Sequence, residues 1–457
     1  MTVKKNILNI YYLFLLSHLS LWTLIPTFSN INLPLDTIEA LAWGSNLEWG
    51  FNKHPPFSAF AVQLFYLIFE SNDWAYYFLS QLFVITAFIY IWKLSNEILN
   101  DKFNALCSLL ILESIFFYNF TTPEFNVNVS QLPFWALTGY FFWKGVNENK
   151  TFHWLLFGVF SAIGFLSKYI FIYVLLSYFF YFIFYIRKDT KKLKNYIFSI
   201  LVSLLILTPH FLWLIQNEFI TIFYGITRSS ISSIGLINHI INPIEFILKQ
   251  LCILIPFFFM IFILLKKFKF KVNFKRKKSI FIFSITLLPI IFIFITSLIT
   301  GAKIRTMWMT PFYLFFGILF FEIIKNNIEY KRIKFFFSTF IFLFILSPMI
   351  YLGISIFDDS KRTDYPGKEI SRLVQDKWDE NFVNDIKIVI GDEWSAGNLS
   401  YHLPSRPIWI NDLKGKVSDL SENQGVVYTG NPKILKEICP GVYGTIKPVG
   451  YCMIGKK

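Results

Sequence analysis

The chain has 457 residues, of which 55% are hydrophobic, 20% aromatic and 16% charged, against about 25% charged in an ordinary soluble domain. So much apolar surface cannot be buried in one water-soluble core, which excludes a soluble enzyme or binding module for most of the length. The net charge of +14 does not call for nucleic acid either, because the basic residues lie in short runs between apolar segments and act as topology signals.

Apolar segments of bilayer-crossing length, roughly 17 to 25 residues, fall at 7–25, 76–95, 103–120, 129–146, 151–167, 169–186, 196–215, 245–265, 279–300, 306–324 and 334–356. The first follows Lys4 and Lys5 but lacks a small-residue cleavage site, so it reads as an uncleaved helix rather than a signal peptide. The pattern predicts an all-α polytopic membrane protein of about eleven transmembrane helices. With the N-terminus inside, the inner segments carry 23 Lys and Arg, eight of them in the run 266–278, and the outer segments carry 6. That asymmetry predicts a cytoplasmic N-terminus. An odd number of spans then puts residues 358–457 outside.

The outer segment 29–73 opens with apolar and polar residues spaced, over 35–47, for an amphipathic helix lying in the interface. Pro55 and Pro56 end that unit and start another short apolar helix. A second outer segment, 216–243, reads as a loop near the membrane. Residues 1–357 thus form the transmembrane domain. From 358 onward the composition turns polar, with candidate strands at 386–391, 406–410 and 425–430 and candidate helices at 367–379, 395–402 and 432–438, a small soluble α/β domain. Cys107 and Cys252 fall in apolar spans; Cys439 and Cys452 share the C-terminal domain, where an oxidising compartment permits a disulfide, and the spacing leaves their pairing open.

Asp36 and Glu39, three apart, project from one helix face. They serve either as a general base with an orienting neighbour or as the solvated face of an interfacial helix. Lys53 is a point charge suited to a phosphate, and His54 beside it can donate a hydrogen bond or shuttle a proton. Glu124 either complements a helix start or belongs to the site. Lys168, an ammonium between two spans beside Tyr169, needs an anion or a route to water. Lys303 and Arg305, at the outer end of another span, suit lipid-phosphate binding or interface anchoring equally. His210 is a packing candidate. No metal motif is visible, so no cofactor is expected and a divalent metal has no argued ligands.

Together, Asp36-x-x-Glu39 running into KHPP at 53–56, TPE at 122–124 followed by LPFWAL at 132–137, GFLSKY at 164–169 and TPHFLW at 208–213 resemble the family 39 glycosyltransferases of the GT-C fold, which include protein O-mannosyltransferases. GDEWSAGNLSY at 391–401 and Arg406-Pro407 are similar to bacterial members that modify lipid A, the galacturonosyl and aminoarabinose transferases. The resemblance implies a polyprenyl-phosphate sugar donor, Asp36 as the catalytic carboxylate with Glu39 beside it, and Lys53 and His54 at the donor phosphate. Glu124 stands where the family more usually has Asp, and Asn126, Asn128 and Ser130 interrupt a segment that is normally apolar. It further implies an acceptor such as lipid A or another envelope glycan, contact with membrane lipids, and a bacterial inner membrane location with the C-terminal domain periplasmic. Two alternatives stand beside it: a protein O-glycosyltransferase using the same donor class, and a transporter or flippase of lipid-linked sugars. The latter predicts internal repeats and broken helices, neither visible in the sequence.

Overall fold

The computed structural model describes residues 6–229, 235–265, 276–411 and 424–457. Lys4, Lys5 and positions 266–275 of the basic run lie outside the described residues. The helices follow in the order α1 (Ile7–Ser29), α2 (Leu35–Gly44), α3 (Phe57–Phe69), α4 (Asp73–Leu99), α5 (Lys102–Leu110), α6 (Val127–Glu148), α7 (Thr151–Ser167), α8 (Ile172–Tyr185), α9 (Thr190–Gln216), α10 (Ile220–Arg228), α11 (Asn238–Ile253), α12 (Ile255–Leu264), α13 (Lys277–Thr300), α14 (Phe316–Ile324) and α15 (Ile333–Phe357).

All eleven segments expected to span are helical, but they differ in kind. Among the described residues, α1, α4, α9, α13 and α15 are each long and apolar enough to cross a bilayer unaided. Two further candidates are bent pairs, α11 with α12 at 51° and the 3-10 segment Thr306–Tyr313 with α14 at 52°. Pro256 opens α12 and cannot donate a backbone hydrogen bond to the preceding turn, which accounts for the first break; the second follows a 3-10 segment that contains Pro311. Broken helices are therefore present where the sequence shows none. The segment at 103–120 divides into α5 and two 3-10 turns. Helix α6 carries Asn128, Ser130, Gln131 and Thr138, all buried, so its polar side faces protein rather than lipid. The segment 216–243 is not a simple loop, because α10 and the start of α11 occupy it.

One apolar core runs through the bundle, from Tyr11 and Phe14 on α1 to Phe340 on α15. At Gly317, α14 approaches α5 so closely that an added Cβ would lie 1.8 Å from the Ser108 carbonyl oxygen, the close approach that small residues permit between membrane helices. Two ionisable groups inside this core satisfy each other: His18 Nδ1 lies 2.5 Å from Glu113 Oε1, and Asn119 donates to the other Glu113 oxygen at 3.2 Å.

The C-terminal region is a five-stranded sheet with helices: α16 (Gly367–Asp379), β1 (Ile388–Ile390), α17 (Ser395–His402), β2 (Ile408–Ile410), β3 (Val426–Gly430), α18 (Pro432–Ile438), β4 (Val442–Ile446) and β5 (Val449–Ile454). Strand order is β2-β1-β3-β5-β4. Central β1 pairs in parallel with β2 and β3, setting Ile388 opposite Ile408 and Val426, while β5 runs antiparallel to β3 and β4. The three expected helices occur at their expected positions. The β4–β5 hairpin was not expected. Cys439 and Cys452 form a disulfide that ties the end of α18 to β5.

This sheet region shares a second core with α2, α3 and the turn between them, in which Trp378, Val389 and Trp409 pack with Ala42, Trp43, Phe51 and Ala59. Arg406 fastens the contact. Its Nη2 donates to the Leu41 carbonyl at 2.6 Å and to Gln63 Oε1 at 3.1 Å, and its guanidinium lies 4.2 Å from the Tyr66 ring centre.

Candidate active site

Helix α2 starts the site. Leu35 follows Pro34, whose fixed φ and missing N–H suit the position before a helix, and Asp36 stands in the first turn. The apolar residues Ile38, Leu41 and Ala42 turn into the protein, which leaves Asp36 and Glu39 on the opposite side. There they face a cavity of about 640 Å³ closed by the 53–55 turn, the 124–128 corner, the α7–α8 hairpin, α10 and the 302–308 stretch.

Three carboxylates line it: Asp36, Glu39 and Glu124. Glu124 Oε1 accepts the backbone N–H of Asp36 at 3.0 Å, so it satisfies one of the unpaired donors at the start of α2. Burial, and next the neighbouring Glu124 charge, push the Asp36 carboxyl up to about 7, against the pull of Lys168, Lys53 and Arg362. Glu124 and Glu39 are raised as well, chiefly by burial.

The same cavity is lined by Lys53, Lys168, Arg228 and Arg305. Lys53 Nζ donates to Glu39 Oε1 at 2.7 Å and lies 3.2 Å from Glu393 Oε1. Lys168 is buried, donates to Asn128 Oδ1 at 2.6 Å and lies 5.3 Å from the Trp308 ring centre. Burial lowers its ammonium to about 7, with Asp36 acting in the other direction. The polar interruption at Asn128 is thereby explained: it supplies the oxygen that holds Lys168. His54 also lines the cavity, and burial followed by the surrounding cations keeps its imidazole well below the ordinary value, hence neutral at pH 7.

Tyr169 is oriented from behind. His210 Nδ1 lies 2.6 Å from the Trp49 carbonyl oxygen, which only accepts, so the proton is on Nδ1 and Nε2 accepts from the Tyr169 hydroxyl at 2.8 Å. His210 is therefore a buried packing residue with a positioning contact. Of the nine site residues expected from sequence, eight meet at the cavity. The exception is Lys303: its side chain is 57% exposed and its Nζ sits 4.0 Å from Glu245, away from the site. Arg228, Trp308 and Asn128 were missed, since no spacing links α10 or the 302–308 stretch to α2. Among the described residues no group of three or more His, Cys, Asp or Glu is arranged to hold a metal ion.

A family model described as dolichyl-phosphate-mannose-protein mannosyltransferase matches residues 53–213. No curated protein matches the chain in sequence. Among solved structures, ArnT from Cupriavidus metallidurans in the apo state is similar over 97% of this chain and 98% of its own, with a TM-score of 0.62 and 11% identity. The same protein bound to undecaprenyl phosphate gives the same values. The archaeal oligosaccharyltransferase AglB from Archaeoglobus fulgidus, in complex with an inhibitory peptide and a dolichol-phosphate, is similar over 91% of this chain and 69% of its own, with a TM-score of 0.46 and 11% identity. The chain shares the fold of ArnT over 97% of its length, and the family model agrees with the resemblance read from the sequence over residues 53–213.

Proposed function

We propose that this protein is a membrane glycosyltransferase that moves a sugar from a polyprenyl-phosphate donor to a hydroxyl of lipid A or another envelope acceptor at the outer face of the inner membrane. The observation that carries the reading is the gathering of Asp36, raised to about 7, and the cations Lys53, Lys168, Arg228 and Arg305 around one cavity. The family match at 53–213 and the relative bound to undecaprenyl phosphate support the donor class.

The chemistry follows from the layout. A sugar on a lipid phosphate arrives in the bilayer plane, so its phosphate meets the cationic wall while the acceptor hydroxyl approaches Asp36. The hydroxyl oxygen attacks the anomeric carbon, the bond from that carbon to the phosphate oxygen breaks, and Asp36 takes the hydroxyl proton. Glu39 supports Asp36 from the same helix face. The leaving phosphate keeps the bonding electrons and is stabilised by the ammonium and guanidinium groups. Direct displacement inverts the anomeric centre.

The reading includes a cytoplasmic N-terminus and a transmembrane domain of residues 1–357 bearing a periplasmic domain of 358–457. A protein hydroxyl as acceptor is the second reading, favoured by the description of the matched family model; the similarity of 391–401 to lipid A-modifying enzymes favours the first. The transporter reading gains two bent helix pairs but no use for a base at the cavity wall. A mass comparison of lipid A and core from cells with and without the gene tests the proposal. Loss of one sugar mass supports it, and identical profiles together with an unchanged set of glycosylated envelope proteins overturn it.

A further inference from the structure

The soluble domain touches the edge of the transfer cavity through Glu393, which contacts the lining residue Lys53. Its position is built rather than incidental. After β1, Gly391 adopts a φ of +148° and packs so tightly that a Cβ would lie 2.1 Å from Thr429 Oγ1, so only glycine is accommodated. The next residue, Asp392, accepts the N–H groups of Trp394 and Ser395 at 2.9 Å each, which fixes the turn on either side of Glu393. The turn is held against the membrane part by Arg406 on Leu41 and Gln63, and by Trp409 N–H donating to Ser45 Oγ at 2.9 Å.

From this turn the Glu393 carboxylate, 12% exposed, meets Lys53 Nζ at 3.2 Å and Asn52 Nδ2 at 3.3 Å. Lys53 is then shared by two carboxylates: Glu39, on the helix that carries Asp36, at 2.7 Å, and Glu393 at the longer distance. One ammonium between two carboxylates leaves a net negative group where an anionic phosphate must bind. The ammonium keeps one N–H free, so a phosphate at Lys53 binds in competition with two carboxylates. The longer contact, made by a different part of the chain, is the one to yield.

We propose that Glu393 is a positioning residue for donor binding: it holds Lys53 in the empty site and surrenders it to the donor phosphate, so that the soluble domain sets donor affinity. This rests on the transferase reading above. It gives the C-terminal domain a role at the donor side.

Binding of undecaprenyl phosphate to the full-length protein in nanodiscs tests it without relying on sugar transfer. Glu393→Gln keeps the size of the side chain and a hydrogen-bonding oxygen for Asn52 while removing the competing charge. Its dissociation constant is expected to fall roughly three- to tenfold, the scale of a partly exposed ion pair. In a Lys53→Gln background the same substitution is expected to change nothing, because the competition has lost its object. Unchanged or weaker binding by Glu393→Gln with wild-type thermal stability overturns the proposal, as does an equal effect with and without Lys53. If the wild-type protein binds no undecaprenyl phosphate at all, the donor assignment and this proposal fall together; if it binds and only the Glu393 effect is missing, the donor assignment stands.

Discussion

Glu124 Oε1 accepts a hydrogen bond from the backbone N–H of Asp36 at 3.0 Å, across 88 residues of sequence. A carboxylate at a helix N-terminus is ordinarily supplied by that helix. Here it comes from the corner before α6, and the contact both anchors the start of α2 and places two acids side by side. That neighbour is one reason the Asp36 carboxyl stands near neutrality.

The first prediction concerns the base. Asp36→Asn keeps the size of the side chain and removes the charge, so transfer by a membrane-inserted protein is expected to fall at least about a hundredfold. Glu39→Gln is expected to fall less, because it leaves the base in place. The measurement is sugar transfer in nanodiscs with inserted protein quantified in parallel. Activity of Asp36→Asn within a few-fold of wild type refutes the assignment, and a larger loss at Glu39 exchanges the two roles.

The second separates the cations. Lys168→Ala is expected to raise the donor KM by at least about tenfold, the scale of losing a charged hydrogen-bonding partner from a buried site. Lys303→Ala, whose side chain points at Glu245, is expected to transfer as wild type does. Donor titration of the two variants decides it, and equal KM values would remove Lys168 from the donor site.

The contrast between those lysines shows what was legible in the sequence. Local chemistry was: the amphipathic spacing and flanking prolines located α2 and α3, and α16, α17 and α18 lie where the alternation of candidate strands and helices put them. The carboxylate pair was legible because both acids sit on one helix. Arg228 and Trp308 were not, because each reaches the cavity only through the packing of α10 and the 302–308 stretch against the bundle. Lys303 and Arg305 look equivalent in sequence, yet two residues along an irregular stretch reverse which side chain faces the site. The β4–β5 hairpin was missed because Gly444, Pro448 and Gly450 mimic a loop composition.

The third prediction is topological. A reporter fused after Asp358 is expected to be active only outside the cytoplasm and one fused after Lys277 only inside, as the charge asymmetry requires. Reversed signals would place the cavity on the wrong face for an envelope acceptor.

The fourth concerns the seat of the soluble domain. Arg406 donates hydrogen bonds to Ser400, Leu41 and Gln63, and Arg406→Ala leaves the Leu41 carbonyl without this donor at the contact. A loss of about 2–3 kcal/mol is expected, together with faster amide exchange in α17. Unchanged exchange and stability would mean that the remaining contacts hold the domain in place without Arg406.

The fifth follows from the two groups placed near neutrality. Asp36 must be ionised to accept a proton, and its carboxyl lies at about 7, so kcat/KM is expected to rise with pH through that region. Lys168 must be charged to hold the phosphate, and burial lowers its ammonium to about 7, so the same quantity is expected to fall as pH increases further. The result is a narrow bell near neutrality whose two apparent values belong to the pair rather than to either residue. Bound phosphate favours the charged ammonium, so the falling limb is expected at higher pH in kcat than in kcat/KM. Lys168→Arg supplies a cation that does not titrate in this range, and it is expected to abolish the falling limb while leaving the rising one. A Lys168→Arg profile that still falls just above neutrality would show that another group controls that limb. A rising limb that persists in Asp36→Asn at its residual rate would show the same for Asp36.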